Sequence, residues 1–234
     1  MSLFMPGLGR RLLRRLVYLF LFLMILSVFL VLIFRWVAPP TTSLMLQDQH
    51  LNDLWVDYRW LELNNLSPHM RRALLAADSS RFMEDLGLDV DALVAALKDE
   101  SGNSGGRGSS ILVSRISRNL FLWRNQDPAR DLLEQYFSQL IMWFWPRERI
   151  FEVYMNIAEF GPGIYGVEAA CQRTFKHSAI RLGSAKSAQL AAILPNPKVY
   201  ASNSDNAFAQ LRIRWLQQQM KQLSDHNVVT LGRL

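Results

Sequence analysis

The sequence predicts an all-α domain behind a single apolar N-terminal helix, and three observations carry that prediction. Apolar residues recur at helical spacing from Ser67 onward, no segment shows convincing strand alternation, and Leu16 to Phe34 is a 19-residue run without a charge. Only Tyr18 and Ser27 interrupt that run. At 234 residues, half of them hydrophobic, the chain has room for one substantial domain plus an anchor, but not for two full catalytic domains.

The apolar run reads as a membrane span. It is too long for the h-region of a cleavable signal peptide, and no clear small-x-small cleavage site follows it. Arg10, Arg11, Arg14 and Arg15 precede it and Arg35 follows, which places the N-terminus in the cytoplasm and the rest of the chain outside. These five account for most of the formal charge of +6; the remainder carries 21 basic against 20 acidic residues. A near-neutral domain has no phosphate-binding footprint, so the membrane is a partner and nucleic acid is not. The boundaries expected are a cytoplasmic N-terminus over 1–15, the span over 16–34, a linker over 35–60 containing the stiff Pro39-Pro40-Thr41-Thr42-Ser43 spacer, a domain over 61–220 and a tail over 221–234.

Within the domain, Ser67-Pro68 gives an N-cap followed by proline at the first helical position. Residues 101–110, SGNSGGRGSS, read as a mobile loop. Helical periodicity then covers 111–122, 131–145, 148–160 and 184–194. The segment LLEQYFSQLIMWFW is apolar almost all round and is expected as a central buried helix. In the next helix Arg149, Glu152, Asn156 and Glu159 share one face, opposite Ile150, Val153, Tyr154 and Ile157, and Phe160-Gly161-Pro162-Gly163 ends it. Such a stripe is either a solvated face or the wall of a site. Cys171, the only cysteine, sits among small residues and reads as core; the four histidines form no metal-ligand spacing.

The string from Arg147 to Phe175 resembles the fourth and fifth motifs of the family 51 glycosyltransferases, the peptidoglycan transglycosylases, with Tyr154, Asn156, Gly161, Gly166, Val167, Ala169, Ala170 and Phe175 in place. LAAILPNPKVY, from Leu190, resembles a further stretch of that family. The resemblance is to its monofunctional membrane-anchored members and implies a lysozyme-like, two-lobed glycosyltransferase domain over 61–220, without a second, penicillin-binding domain. The reaction implied is polymerisation of lipid II into glycan strands in cell-wall biosynthesis, with release of undecaprenyl diphosphate, on the outer face of a bacterial inner membrane. Lipid II, nascent glycan and cell-wall synthesis or division proteins are the partners it suggests.

Position by position, the resemblance implies Asp78 as general base and Glu134 as the second acidic residue. Arg115, Arg118 and Arg130 would clamp the diphosphate, Ser110 and Asn119 match the second motif, and Arg149, Glu152 and Asn156 complete the polar cluster that shapes the cleft. By the same resemblance Glu134 would orient a basic partner or help to hold a divalent cation, Mg or Mn, near the diphosphate; no structural metal and no other cofactor is implied. The first three motifs depart from the family pattern. Asp78 stands for Glu, Ile111 for Thr, Ser114 and Arg115 for two Gln, Asp131 for Lys, and Gln126 for an upstream basic residue. Aspartate withdraws the carboxylate by roughly 1.5 Å. Two further readings therefore stay open: a degenerate pseudoenzyme that binds lipid II or glycan as a scaffold, and a lytic muramidase using a carboxylic acid on the same bond.

Overall fold

The computed structural model describes residues 6–77, 111–125, 127–194 and 207–222. The chain divides after Pro39 into two compact units. The first is the helix α1, Pro6–Trp36. Among the described residues it is the one helix long and apolar enough to cross a membrane, over Arg11–Trp36, with a mean hydropathy of 3.1 in an 18-residue window. Its interior hydroxyl is satisfied within the helix: Ser27 Oγ donates to the Met24 carbonyl at 2.8 Å.

The second unit runs α2 (Ser43–Leu51), β1 (Asp57–Tyr58), a 3₁₀ turn (Leu63–Asn65), α3 (Pro68–Ala77), α4 (Ile111–Phe121), α5 (Pro128–Phe144), α6 (Arg147–Ile157), β2 (Glu159–Gly161), β3 (Ile164–Tyr165), α7 (Val167–Phe175), a 3₁₀ turn (Ala179–Arg181), α8 (Ser184–Ile193) and α9 (Ala207–Gln222). The helices pack in two groups. One joins α3, α8 and α9; in the other, α4 lies against α5, α6 and α2. This is the two-lobed, mostly helical architecture expected.

Local chemistry sets the helix starts. Extended Thr42 accepts from the Met45 N–H on its Oγ1, opening α2. Asp127 opens α5, with Pro128 at the first helical position; its carboxylate accepts from Arg130 N–H at 2.8 Å and from Trp123 Nε1 at 2.7 Å. Those two donors hold the Asp127 carboxyl below its ordinary value. Ser67 does something else with its hydroxyl, donating it to the Leu182 carbonyl at 2.6 Å and so tying the start of α3 to the turn before α8.

The structure differs from expectation in three places. The folded unit takes in residues expected as linker, because Leu44, Met45 and Asp48 of α2 are buried and β1 is paired. The helix expected over 148–160 stops at Ile157, and a small sheet follows in the order β1-β3-β2, with β1 parallel and β2 antiparallel to β3. Strands of two and three residues are too short to show alternation. Lastly, α5 is not buried all round: it turns Arg130, Ser138, Leu140 and Ile141 inward and leaves Leu132 and Trp143 more than two-thirds exposed. The inward polar group is matched, since Ser138 Oγ and Ser117 Oγ lie 2.9 Å apart between α5 and α4. The deeper helix is α6, whose Phe151, Val153, Tyr154, Met155, Asn156 and Ile157 are buried. Cys171 is buried in α7, as expected, and burial pushes its thiol up to about 12.

Gly166 joins the sheet to α7 at φ +86°, ψ 153°, a region essentially closed to other residues, and a Cβ there would stand 2.6 Å from the Asn156 carbonyl oxygen. Gly166→Ala is expected to lower the unfolding free energy by at least about 1–3 kcal/mol, measured by urea denaturation in detergent; an unchanged midpoint would contradict this packing.

Candidate active site

The chemistry-bearing residues of the second and third motifs meet across α4 and α5. Arg118 grips Glu134 with a fork, Nε to Oε2 at 3.2 Å and Nη2 to Oε1 at 3.0 Å. Arg130, one turn before Glu134 on α5, approaches the same carboxylate at 3.5 Å. The two arginines differ in exposure: the Arg118 side chain is 43% accessible and that of Arg130 only 2%. Arg130 also donates through Nη1 to the carbonyls of Arg124 and Asn125, at 3.3 and 3.4 Å. Burial first, and then the neighbouring Arg118 charge, lowers its pKa. Arg130, expected as a diphosphate ligand, is thus buried, with its guanidinium against the Glu134 carboxylate. Arg115, three residues before Arg118 on α4 and partly exposed, donates to the buried Tyr154 hydroxyl at 3.1 Å. Asn119 lies at the α4–α6 contact, 3.4 Å from the Ile157 carbonyl.

The polar stripe on α6 is neither solvated nor aimed outward. Asn156 is 1% exposed; its Oδ1 accepts from Leu61 N–H and its Nδ2 donates to the Leu61 and Glu152 carbonyls, each at 2.8 Å. Both amide protons are therefore used. Glu152 accepts from Leu63 N–H at 3.1 Å and from Arg149 at 2.6 Å, and the Arg149 guanidinium lies over the Trp60 ring at 5.2 Å. These three residues clamp the segment 60–63 that leads into α3. Glu159, expected on the same helical face, belongs to β2 and pairs with Arg124 at 3.3 Å.

A buried polar knot lies where α2, the α4–α5 connection and the sheet meet. Asp48 has no exposed surface, and its carboxylate accepts from Arg124 Nη2 at 2.7 and 2.8 Å, from the Tyr165 hydroxyl at 2.5 Å and from Asn52 Nδ2 at 2.9 Å. Burial, then the hydrogen bond to Asp48, raises the Tyr165 pKa. For Arg124, burial pulls the pKa down but is outweighed by Glu159, Tyr165 and Asp48, so it rises. Asp78, Ser110, Gln126 and the loop 101–110 lie outside the described residues. Among the described residues no group of three or more His, Cys, Asp or Glu side chains offers a metal-binding set.

Residues 47–221 match the family model described as Transglycosylase. The chain belongs to the transglycosylase family. The chain is 41% identical over 219 residues to the biosynthetic peptidoglycan transglycosylase of Ectopseudomonas mendocina, covering 92% of this chain and 90% of that protein. It is 39% identical over 229 residues to the protein of the same name from Haemophilus influenzae, covering 94% and 92%. The likeness to monofunctional family 51 members drawn from the motifs is thereby established.

Asp48, Arg124 and Tyr165 were not among the residues expected at a site. Asp48 falls in the stretch expected as linker and Arg124 between two motifs, and spacing alone does not distinguish a buried charge from a surface one. The available signal is that Asp48 is the first acid of the chain, at the start of a segment rich in hydrogen-bonding side chains.

Asn156→Leu keeps the branching at Cγ, in a larger side chain, but strands the N–H and C=O of Leu61, so a loss of about 2–5 kcal/mol in unfolding free energy is expected in urea titrations. Tyr58 gives a pH dependence: burial raises its phenol to about 12, against a lowering by Arg149. An unfolded tyrosine ionises near 10, so this stability is fully present below pH 10 and is lost as pH rises towards 12. Unfolding midpoints measured across that interval should fall less steeply for Tyr58→Phe than for the wild type.

Proposed function

We propose that this protein polymerises lipid II into glycan strands for the cell wall and releases undecaprenyl diphosphate. The observation that supports this most directly is the Arg118–Glu134–Arg130 constellation, one carboxylate held by two guanidinium groups and flanked by Arg115. The cluster carries excess positive charge, as a leaving diphosphate requires. Arg118 engages Glu134 through Nε and Nη2, which leaves its Nη1 donors for a phosphate oxygen, and Arg115 supplies a second partly exposed cation. In the proposed reaction the acceptor 4-hydroxyl attacks the donor anomeric carbon. Its proton goes to Asp78, the new C–O bond forms, and the bonding pair of the cleaved C–O bond leaves on the diphosphate. Glu134 is the second acidic residue, fixed by its arginines, while Arg149, Glu152 and Asn156 shape the cleft wall through the segment they clamp.

Both Glu134 oxygens face arginines, an arrangement that does not suit a protein-held divalent cation. We place α1 in the bacterial inner membrane with the N-terminus cytoplasmic and the second unit periplasmic, in keeping with the arginines before the span. Cell-wall synthesis or division proteins are the proposed partners.

A second reading, a lipid II-binding scaffold without turnover, is favoured by Asp78, Ser114 and Asp131 in place of the family residues. One assay separates the two: full-length protein in detergent with fluorescent lipid II, products resolved as glycan chains on a gel. The wild type is expected to make chains, and Asp78→Ala and Glu134→Gln to lose about 100-fold or more in rate. Folded wild type that binds lipid II without making chains would replace the enzyme by the scaffold.

A further inference from the structure

We infer that Asp48 is a positioning residue for Glu134, acting through Arg124 and Arg130. The inference rests on the proposed role of Glu134 but begins at Asp48 and Arg124, which lie outside the matched motif positions. A carboxylate without exposed surface must be neutralised in place, and Asp48 takes donors from Arg124, Tyr165 and Asn52. The side chain of Arg124 is thereby fixed on α2. Its main chain is fixed on α2 as well, because the Arg124 N–H donates to Gln47 Oε1 at 3.0 Å, and Gln47 Nε2 reaches the Leu122 carbonyl at 3.1 Å. The connection between α4 and α5 is therefore gripped at residues 122 and 124 by adjacent side chains of one helix.

That grip carries on to the site through carbonyl groups. Arg130 Nη1 lies within hydrogen-bond distance of the Arg124 and Asn125 carbonyls, and Arg130 Nη2 stands 3.5 Å from Glu134 Oε2. At 2% exposure Arg130 has no solvent-facing alternative. If residue 124 shifts, Arg130 loses its acceptors and the carboxylate loses one of its two orienting cations. Asp48 touches neither Glu134 nor any reacting atom, so its effect is on how Glu134 is held.

The test is a double-mutant cycle of Asp48→Asn and Arg130→Lys on the rate of lipid II polymerisation, with thermal unfolding followed in parallel. Asp48→Asn is expected to lower kcat roughly tenfold while the KM for lipid II stays within about twofold. The double variant should be no slower than the slower single one; losses that multiply would overturn the relay. If Asp48→Asn does not fold, Tyr165→Phe, which removes one hydrogen bond from Asp48, takes its place in the cycle. A second readout does not depend on turnover: NMR of the arginine Nε–H groups in detergent. Asp48→Asn is expected to move the Arg118 and Arg130 resonances as well as that of Arg124. A change confined to Arg124 would sink the inference, whereas absence of polymerisation with the three resonances moving together would count against the proposed reaction only.

Discussion

A carboxylate with no exposed surface has to be neutralised where it stands, and meeting that demand at Asp48 draws together parts of the chain that are distant in sequence. Its partners come from the α4–α5 connection and from β3, so satisfying one side chain fixes α2, that connection and the sheet relative to one another. The arrangement is costly to undo. Removing one member of a buried ion pair leaves an uncompensated charge, at about 3–5 kcal/mol, whereas the intact pair need contribute little net stability. Its value is in specifying one arrangement: Arg124 serves Asp48, Glu159 and Tyr165 at once, and other packings would leave at least one of them without its cation.

The same device recurs wherever chemistry has to be held still. Arg130 is buried against carbonyls so that Glu134 has one orientation, and Asn156 spends its amide on both backbone groups of Leu61 so that the segment entering α3 has one path. A helix surface alone would leave these side chains free to rotate. Buried polar groups held by directional hydrogen bonds remove that freedom more sharply than apolar packing, which tolerates repacking of similar volumes.

Helix positions were legible in the sequence because period and caps are local properties: α4, α5 and α8 begin and end within a few residues of expectation. What the sequence left obscure was decided by tertiary contact. Arg149, Glu152 and Asn156 do share a face, but whether a polar stripe meets solvent, substrate or backbone depends on which segment crosses it, here 60–63. Glu159 continued the stripe numerically, yet α6 ends at Ile157, where the chain turns into β2. The apolar length of α5 suggested burial all round, although the face turned inward contains Arg130 and Ser138. Asp48 was hidden by its place in a stretch that composition marks as connector. The motifs, by contrast, led directly to Arg118, Arg130 and Glu134 as a group, and only the distance and exposure data separate the arginine that faces outward from the one that does not.

The parallel pairing of β1 with β3 and the bond from Tyr165 to Asp48 also impose an order on synthesis. Asp48 and Tyr165 are 117 positions apart. At about 5–20 residues per second, the chain carries α2 for roughly ten seconds before its partners exist. During that interval Leu44 and Met45 lack Tyr165, the buried residue of their cluster, and have only Val56 and Tyr58 of it close by in sequence. Gln47, Asp48, Gln49 and His50 beside them keep the segment hydrated in the meantime. The segment made soon after the anchor therefore reaches its final environment only once a residue made 117 positions later has been added.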